Sequence, residues 1–235
     1  MSYHDRFFEL ADKSNKDSLN ALLFGACISG NLDRVRYVLA SPELKIHANI
    51  DADNYKGFFE ACERGYLDIV KYMLTSPELK EHADIHAKND YALVLAINFE
   101  YLDMIEYLLF SPELKEHADV NAHNFTPIES ACYNGSVNIV QYLTTHEKLK
   151  EKTCANPSIE RGLIGAFLAK QNPIMEYLIF DLKIEKNDFL KSLLEKSKKD
   201  FSDSVKKMFS IRDLKNDLEN NLVEDIEKKT KKVKL

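Results

Sequence analysis

Ser76-Pro77-Glu78-Leu79-Lys80 is one of four versions of a single phrase. It stands 35 residues after Ser41-Pro42-Glu43-Leu44-Lys45 and 35 before Ser111-Pro112-Glu113-Leu114-Lys115, then fades to His146-Glu147-Lys148-Leu149-Lys150. Tyr37, Tyr72, Tyr107, Tyr142 and Tyr177 keep the same interval. A fixed period of this size means a stack of like supersecondary units, each covering its neighbour's apolar face. Such a stack predicts an extended surface for another macromolecule before any catalytic motif is considered.

Outward from that phrase the unit reads as two helices. Phe58, Phe59, Ala61 and Cys62 form an apolar stripe that stops at Gly65, a residue suited to a left-handed helix end. Leu67-Asp68-Ile69-Val70-Lys71-Tyr72-Met73-Leu74 follows as a second helix. Corresponding turns fall at Gly30, Glu100 and Gly135, so one copy lacks its glycine. Serine as a preferred N-cap, proline at the first helical position and glutamate near the positive end of the dipole make Ser76-Pro77-Glu78-Leu79 a predicted short third helical turn. Leu44, Leu79, Leu114 and Leu149 would pin it to the core.

The stretches between repeats carry a resemblance. His117-Ala118-Asp119-Val120-Asn121-Ala122, Thr126-Pro127-Ile128-Glu129-Ser130-Ala131 and Gly135-Ser136-Val137-Asn138-Ile139-Val140 are similar, in order and register, to the signature steps of ankyrin repeats. The resemblance covers residues 17 to 180 and implies an all-α solenoid whose usual activity is protein recognition, with no chemistry of its own. Two departures stand out. The hairpin segment is shorter, so the protruding fingers should be stubby, and the Ser-Pro-Glu-Leu insertion restores a longer period. That style is similar to ankyrin proteins of host-associated bacteria. The expected organisation is an N-terminal helical cap over 1–16, five repeats over 17–182, a degenerate sixth over 183–210, and a capping helix with a basic tail over 211–235. Leu214, Leu218, Leu222 and Ile226 supply the stripe of that last helix.

Composition excludes several classes. With 45% apolar and 30% charged residues, the chain has material for a core. Its longest apolar run, Ala92 to Ile97, is far short of a membrane span, and Met1-Ser2-Tyr3-His4-Asp5-Arg6 leads into no signal-peptide core. Net charge is −6. From Lys183 onward 15 basic residues face 11 acidic ones, leaving 17 against 27 before it. An acidic repeat body argues against nucleic acid as partner. The expected partner is a protein, engaged by a monomer without membrane attachment.

Candidate chemistry dissolves in register. Cys27, Cys62 and Cys132 share one repeat position, which Ile97 fills in the remaining copy. Successive repeats place them about 10 Å apart, too far for a disulfide or a common metal, so they read as core. His47, His82 and His117 replace the glycine of the family's turn. A histidine there tolerates left-handed backbone and its ring bonds neighbouring backbone. Asp33, Asp68 and Asp103 open second helices, where a carboxylate favours the dipole. No Gly-rich phosphate loop, HExxH, CxxC or GxSxG occurs, so neither catalysis nor cofactor nor metal is expected.

What varies between copies marks the expected binding face. Tyr55, Tyr91 and Phe125 sit at the turns, with Glu63, Arg64, Asn98, Phe99, Tyr133 and Asn134 at the helix ends. These either meet a partner or, for some of the aromatics, cover the adjacent repeat. The leading function is a non-catalytic interaction module, scaffold, adaptor or effector. A regulatory subunit that occludes a partner enzyme's active site is the alternative. The cytoplasm is the expected compartment. Delivery into a host cell and nuclear import through Lys228 to Lys234 stay open, and those lysines equally suit a solvated helix end.

Overall fold

The computed structural model describes residues 12, 14–182, 194–195 and 199–213, with only the backbone of 123–125 and 156. No strand occurs among the described residues. The chain divides into two compact units, Met1–Gln171 and Asn172–Leu235. In the first, the helix pairs are α1 (Lys16–Ile28) with α2 (Leu32–Ala40), α3 (Ala52–Glu63) with α4 (Leu67–Thr75), α5 (Tyr91–Asn98) with α6 (Leu102–Phe110), and α7 (Ala122–Asn134) with α8 (Val137–Thr145). The short α9 (Lys150–Thr153) then leads to α10 (Asn156–Leu168).

First helices stack on first helices: α1 on α3, α3 on α5, α5 on α7, α7 on α10. Their seam is a column of small buried residues, Ala26, Ala61, Ala96, Ala131 and Ala166, none more than 2% exposed. Cys27, Cys62, Ile97 and Cys132 lie beside it at 0% exposure, all as free thiols where cysteine. Burial pushes the Cys27 thiol up to about 12, with the Glu60 carboxylate adding to it. Burial likewise raises Cys62 and Cys132, so these thiols are packing groups rather than nucleophiles.

Each first helix ends in the same left-handed residue: Gly30 (φ 66°), Gly65 (φ 76°), Glu100 (φ 60°), Gly135 (φ 83°) and Lys170 (φ 59°). The following N–H then reaches back five residues, as in Tyr66 to Ala61 O at 2.9 Å and Tyr101 to Ala96 O at 2.9 Å. This closes the helix end in a Schellman arrangement. Glycine is demanded twice over where a tyrosine follows. A Cβ on Gly65 would stand 2.8 Å from Cζ of Tyr101, and one on Gly30 2.6 Å from Cζ of Tyr66. At Glu100, one of the two copies without glycine, the corresponding lid is Ser136, whose Oγ donates to Glu100 Oε1 at 2.7 Å. The glutamate is tolerated because the tyrosine is gone.

The fingers are replaced by left-handed turns. Asp53, Asn54 and Tyr55 have φ of 50°, 64° and 63°, and Lys88, Asn89 and Asp90 have 51°, 55° and 60°. Four of the six are Asp or Asn, whose short polar side chains best accept this backbone.

The Ser-Pro-Glu-Leu segment is not the expected helical turn. Ser76 is extended (φ −64°, ψ 126°) and closes the end of α4, its N–H donating to Tyr72 O. Leu79 N donates to Ser76 O at 3.1 Å, which makes 76–79 a single β-turn with proline at its second position. Leu44 N to Ser41 O (3.1 Å) and Leu114 N to Ser111 O (3.2 Å) repeat it. The histidines explain why no helix forms. His82 Nε2 lies 2.9 Å from Ser76 O, with His47 and His117 each 3.0 Å from Ser41 O and Ser111 O. The ring nitrogen therefore donates to the carbonyl that a first helical bond would need. None of the three histidines has positive φ, so the left-handed role expected of them is corrected while ring-to-backbone bonding is observed. Three of the four leucine anchors are buried, Leu79 and Leu114 at 9% exposed and Leu149 at 4%, whereas Leu44 is only half-buried.

In the second unit, α11 (Asn172–Glu176) continues into a π-helical turn, Tyr177–Asp181. Residues 199–213 are helical and bury Phe201, Val205 and Met208. Phe209 meets Phe180 edge-on at 5.0 Å, and the Arg212 guanidinium lies 4.3 Å from the Phe180 ring centre. The stripe Leu214, Leu218, Leu222 and Ile226, the tail Lys228 to Lys234 and the start of the N-terminal cap lie outside the described residues.

Candidate protein-binding surface

The second helices carry the framework tyrosines. Tyr72 donates its hydroxyl to Glu78 Oε2 at 3.1 Å, tying the inserted turn to its own repeat. From the preceding repeat, the Arg36 guanidinium lies 5.3 Å from the Tyr72 ring centre, and Lys71 Nζ lies 5.0 Å from that of Tyr107. Burial, then the Glu78 carboxylate, pushes the Tyr72 hydroxyl up to about 12. The fourth copy has Glu106 in place of the cation, and burial with that carboxylate likewise pushes Tyr142 to about 12. This column binds repeat to repeat and leaves the first helices to offer variable side chains.

At the far ends of those helices six expected residues form two neighbouring columns. Glu63, Asn98 and Tyr133 make one; Arg64, Phe99 and Asn134 make the other, and all six are exposed. Asn134 Nδ2 donates to Asn98 Oδ1 at 2.9 Å, linking adjacent repeats across the surface. Arg64 Nε pairs with Glu60 Oε2 at 3.2 Å at the end of α3. Phe99, 46% exposed, stacks on Tyr101 with ring centres 6.1 Å apart, and Tyr101 donates to the Glu63 carbonyl at 3.2 Å. Tyr133 is 53% exposed.

Two surface residues were missed by sequence reasoning. Leu168, 63% exposed, continues the Glu63 column one repeat beyond Tyr133, and Leu102 is 40% exposed beside the turn. The 35-residue register already pointed to Leu168, since 133 and 168 differ by one period.

The other three residues lie at the opposite ends of the first helices. Tyr91 opens the eight-residue α5 and Asn98 closes it, which sets the two groups about 10 Å apart along the axis. The Tyr91 ring meets Phe59 of the preceding repeat edge-on at 5.3 Å, which accounts for part of its surface. Tyr55 is half-buried; burial and then the carboxylates of Asp84, Asp51 and Glu81 raise its hydroxyl. The Phe125 side chain lies outside the described residues. Tyr55 and Phe125 are register partners of Asp90 rather than of Tyr91. Asp90 is buried and ties repeats together, its Oδ1 accepting from Asp119 N at 3.2 Å and lying 2.8 Å from His86 Nδ1. Asn20 Oδ1 accepts from Asn49 N at 2.8 Å in the same way two repeats earlier.

Among the described residues no group of three or more His, Cys, Asp or Glu could hold a metal ion, and no helix is long and apolar enough to cross a membrane. Comparison with protein families matches residues 58–154 to the model for ankyrin repeats (3 copies). The helix pairs over this stretch are accordingly those of an all-α ankyrin solenoid. Ankyrin repeats are in general protein–protein interaction modules and typically non-catalytic. Comparison with curated proteins finds no match.

Proposed function

We propose that this chain is a non-catalytic binding module whose partner protein docks on the helix-end columns Glu63-Asn98-Tyr133-Leu168 and Arg64-Phe99-Asn134. The observation that carries the reading is the run of exposed apolar side chains there. Phe99, Tyr133 and Leu168 are 46%, 53% and 63% exposed and fall on these two adjacent columns. Aromatic and arginine side chains at the centre of such a surface give the largest binding contributions. Five repeats over 17–182, flanked by capping segments, are the organisation that goes with it.

The test is affinity capture with the intact protein and with a Phe99→Ala/Tyr133→Ala variant, followed by titration with the purified partner. The variant should keep its circular dichroism spectrum and bind tenfold or more weakly, about 1.4 kcal/mol. Undiminished affinity of the folded variant would remove the surface from the helix ends.

A further inference from the structure

On the edge built from the inserted turns, two clefts lie one repeat apart, with volumes of about 300 and 330 Å³. The second is the first moved along by 35 residues: Ile85 and Leu114 stand where Ile50 and Leu79 stand. Those four side chains are buried and give each cleft an apolar floor. The clefts exist because the turn of one repeat overhangs the His-Ala-x-Ile stretch of the repeat before it. They are therefore products of the insertion and lie away from the helix-end columns.

The rims differ in charge. In the first cleft Lys16 and Lys80 balance Glu78 and Glu81. In the second, Asp84, Glu113 and Glu116 face Lys115 alone, so three carboxylates against one ammonium leave two negative charges. Glu116 also sits 3.4 Å from His86 Nε2, with its side chain 73% exposed. Asp84 Oδ1 accepts from His86 N at 2.8 Å, which fixes its carboxylate at the rim. His82 in the second cleft and His47 in the first make the same bond to the serine carbonyl, so the histidines do not distinguish the two clefts.

We infer that this edge binds a basic, proline-rich segment of a partner protein in polyproline II conformation, seating one Lys or Arg in the second cleft and an uncharged side chain in the first. A long cationic side chain is what an apolar floor with an acidic rim fits, the stem lying on Ile85 and Leu114 and the head reaching the carboxylates. The spacing selects the backbone. Adjacent repeats are about 8–10 Å apart. A polyproline II chain returns to the same face every three residues after about 9.3 Å, whereas a β-strand puts the third residue on the opposite face. An uncharged residue three positions from the cation then falls in the charge-balanced cleft. This edge is independent of the helix-end surface, so either reading survives failure of the other.

The probes are fluorescein-labelled nonapeptides of alanine and proline with lysine, or glutamate, at the centre. They are titrated into the full chain by fluorescence anisotropy. The lysine peptide should bind about tenfold or more tightly than the glutamate peptide. The Asp84→Asn/Glu116→Gln variant should lose about tenfold for the lysine peptide. Asn49 already occupies the position of Asp84 in the preceding copy, so the amide fits the backbone bond there. Lys115→Gln should tighten the lysine peptide, and Phe99→Ala/Tyr133→Ala should leave it unchanged. Equal binding of the two peptides, no binding of either, or no tightening by Lys115→Gln overturns the proposal, the last holding even if the double variant fails to fold.

Discussion

The connection over 76–83 and the one over 146–153 begin alike and end differently. The first makes a β-turn, with Ser76 O taken by Leu79 N and by the His82 ring. In the second, Lys152 stands where the histidine would be and Glu147 where the proline would be. There His146 O accepts from both Leu149 N and Lys150 N at 2.9 Å, and the chain coils on into α9. One carbonyl, offered to a side chain or to the backbone, decides between turn and helix. The leucine at the fourth position is buried in both, so anchoring is independent of that choice.

The largest effect should therefore be common to the two connections. Leu79→Ala and Leu149→Ala should each cost roughly 2–5 kcal/mol in urea unfolding, since each removes a buried leucine from a packed site. A large loss at one and none at the other would break the claim that the anchor is shared.

Next comes the contrast between glycine and non-glycine helix ends. Gly65→Ala forces a Cβ into the left-handed region and against the Tyr101 ring, and should cost about 1–3 kcal/mol. Tyr101→Ser should recover part of this, because Glu100 with Ser136 is the same exchange already present one repeat later. A double-mutant cycle with no coupling between positions 65 and 101 would show that the pairing of Glu100 with Ser136 is incidental.

These contrasts also show what was legible in the sequence. The period, the two helices and the core columns could be read because burial repeats with register, as Ala26 through Ala166 does. The inserted turn was misread because Ser-Pro-Glu has the residue preferences of a helix start, while the competing bond comes from a histidine six residues on. Propensity describes neighbours and cannot weigh a carbonyl's second suitor. The helix-end columns were readable as register positions. Tyr91 could likewise be set at a turn and Asn98 at a helix end, but not the distance between them, which is fixed by the eight-residue length of α5.

A smaller effect belongs to the framework tyrosines, which the two copies share. Tyr72→Phe removes the bond to Glu78 and should cost about 1 kcal/mol, whereas the exposed carboxylate it leaves is solvated. The folded hydroxyl at about 12 lies above its unfolded value near 10, so the protonated form is favoured in the fold. Its contribution is present below pH ~10 and is lost as the pH rises toward 12. Unfolding of the Tyr72→Phe/Tyr142→Phe protein should then depend less steeply on pH in that window, and an unchanged slope would place the alkaline loss elsewhere.

The smallest effect tests the comparison at its centre. His82→Ala removes one of two donors from Ser76 O but leaves the Leu79 bond, so the loss should be about 0.5–1 kcal/mol, the value of a single part-exposed hydrogen bond. Lys152→Ala, at the matching position of the coiled copy, removes an exposed side chain for which no such bond is seen, and should change stability by less than about 0.5 kcal/mol. The amide of Lys80 is the sharper readout. With the histidine gone, Ser76 O becomes available to it as His146 O is to Lys150 N, so hydrogen exchange at Lys80 should slow in His82→Ala while that at Lys150 stays as in the parent. Exchange at Lys80 that is unchanged or faster would mean that Pro77 alone holds the turn and that the histidine is only a passenger on it.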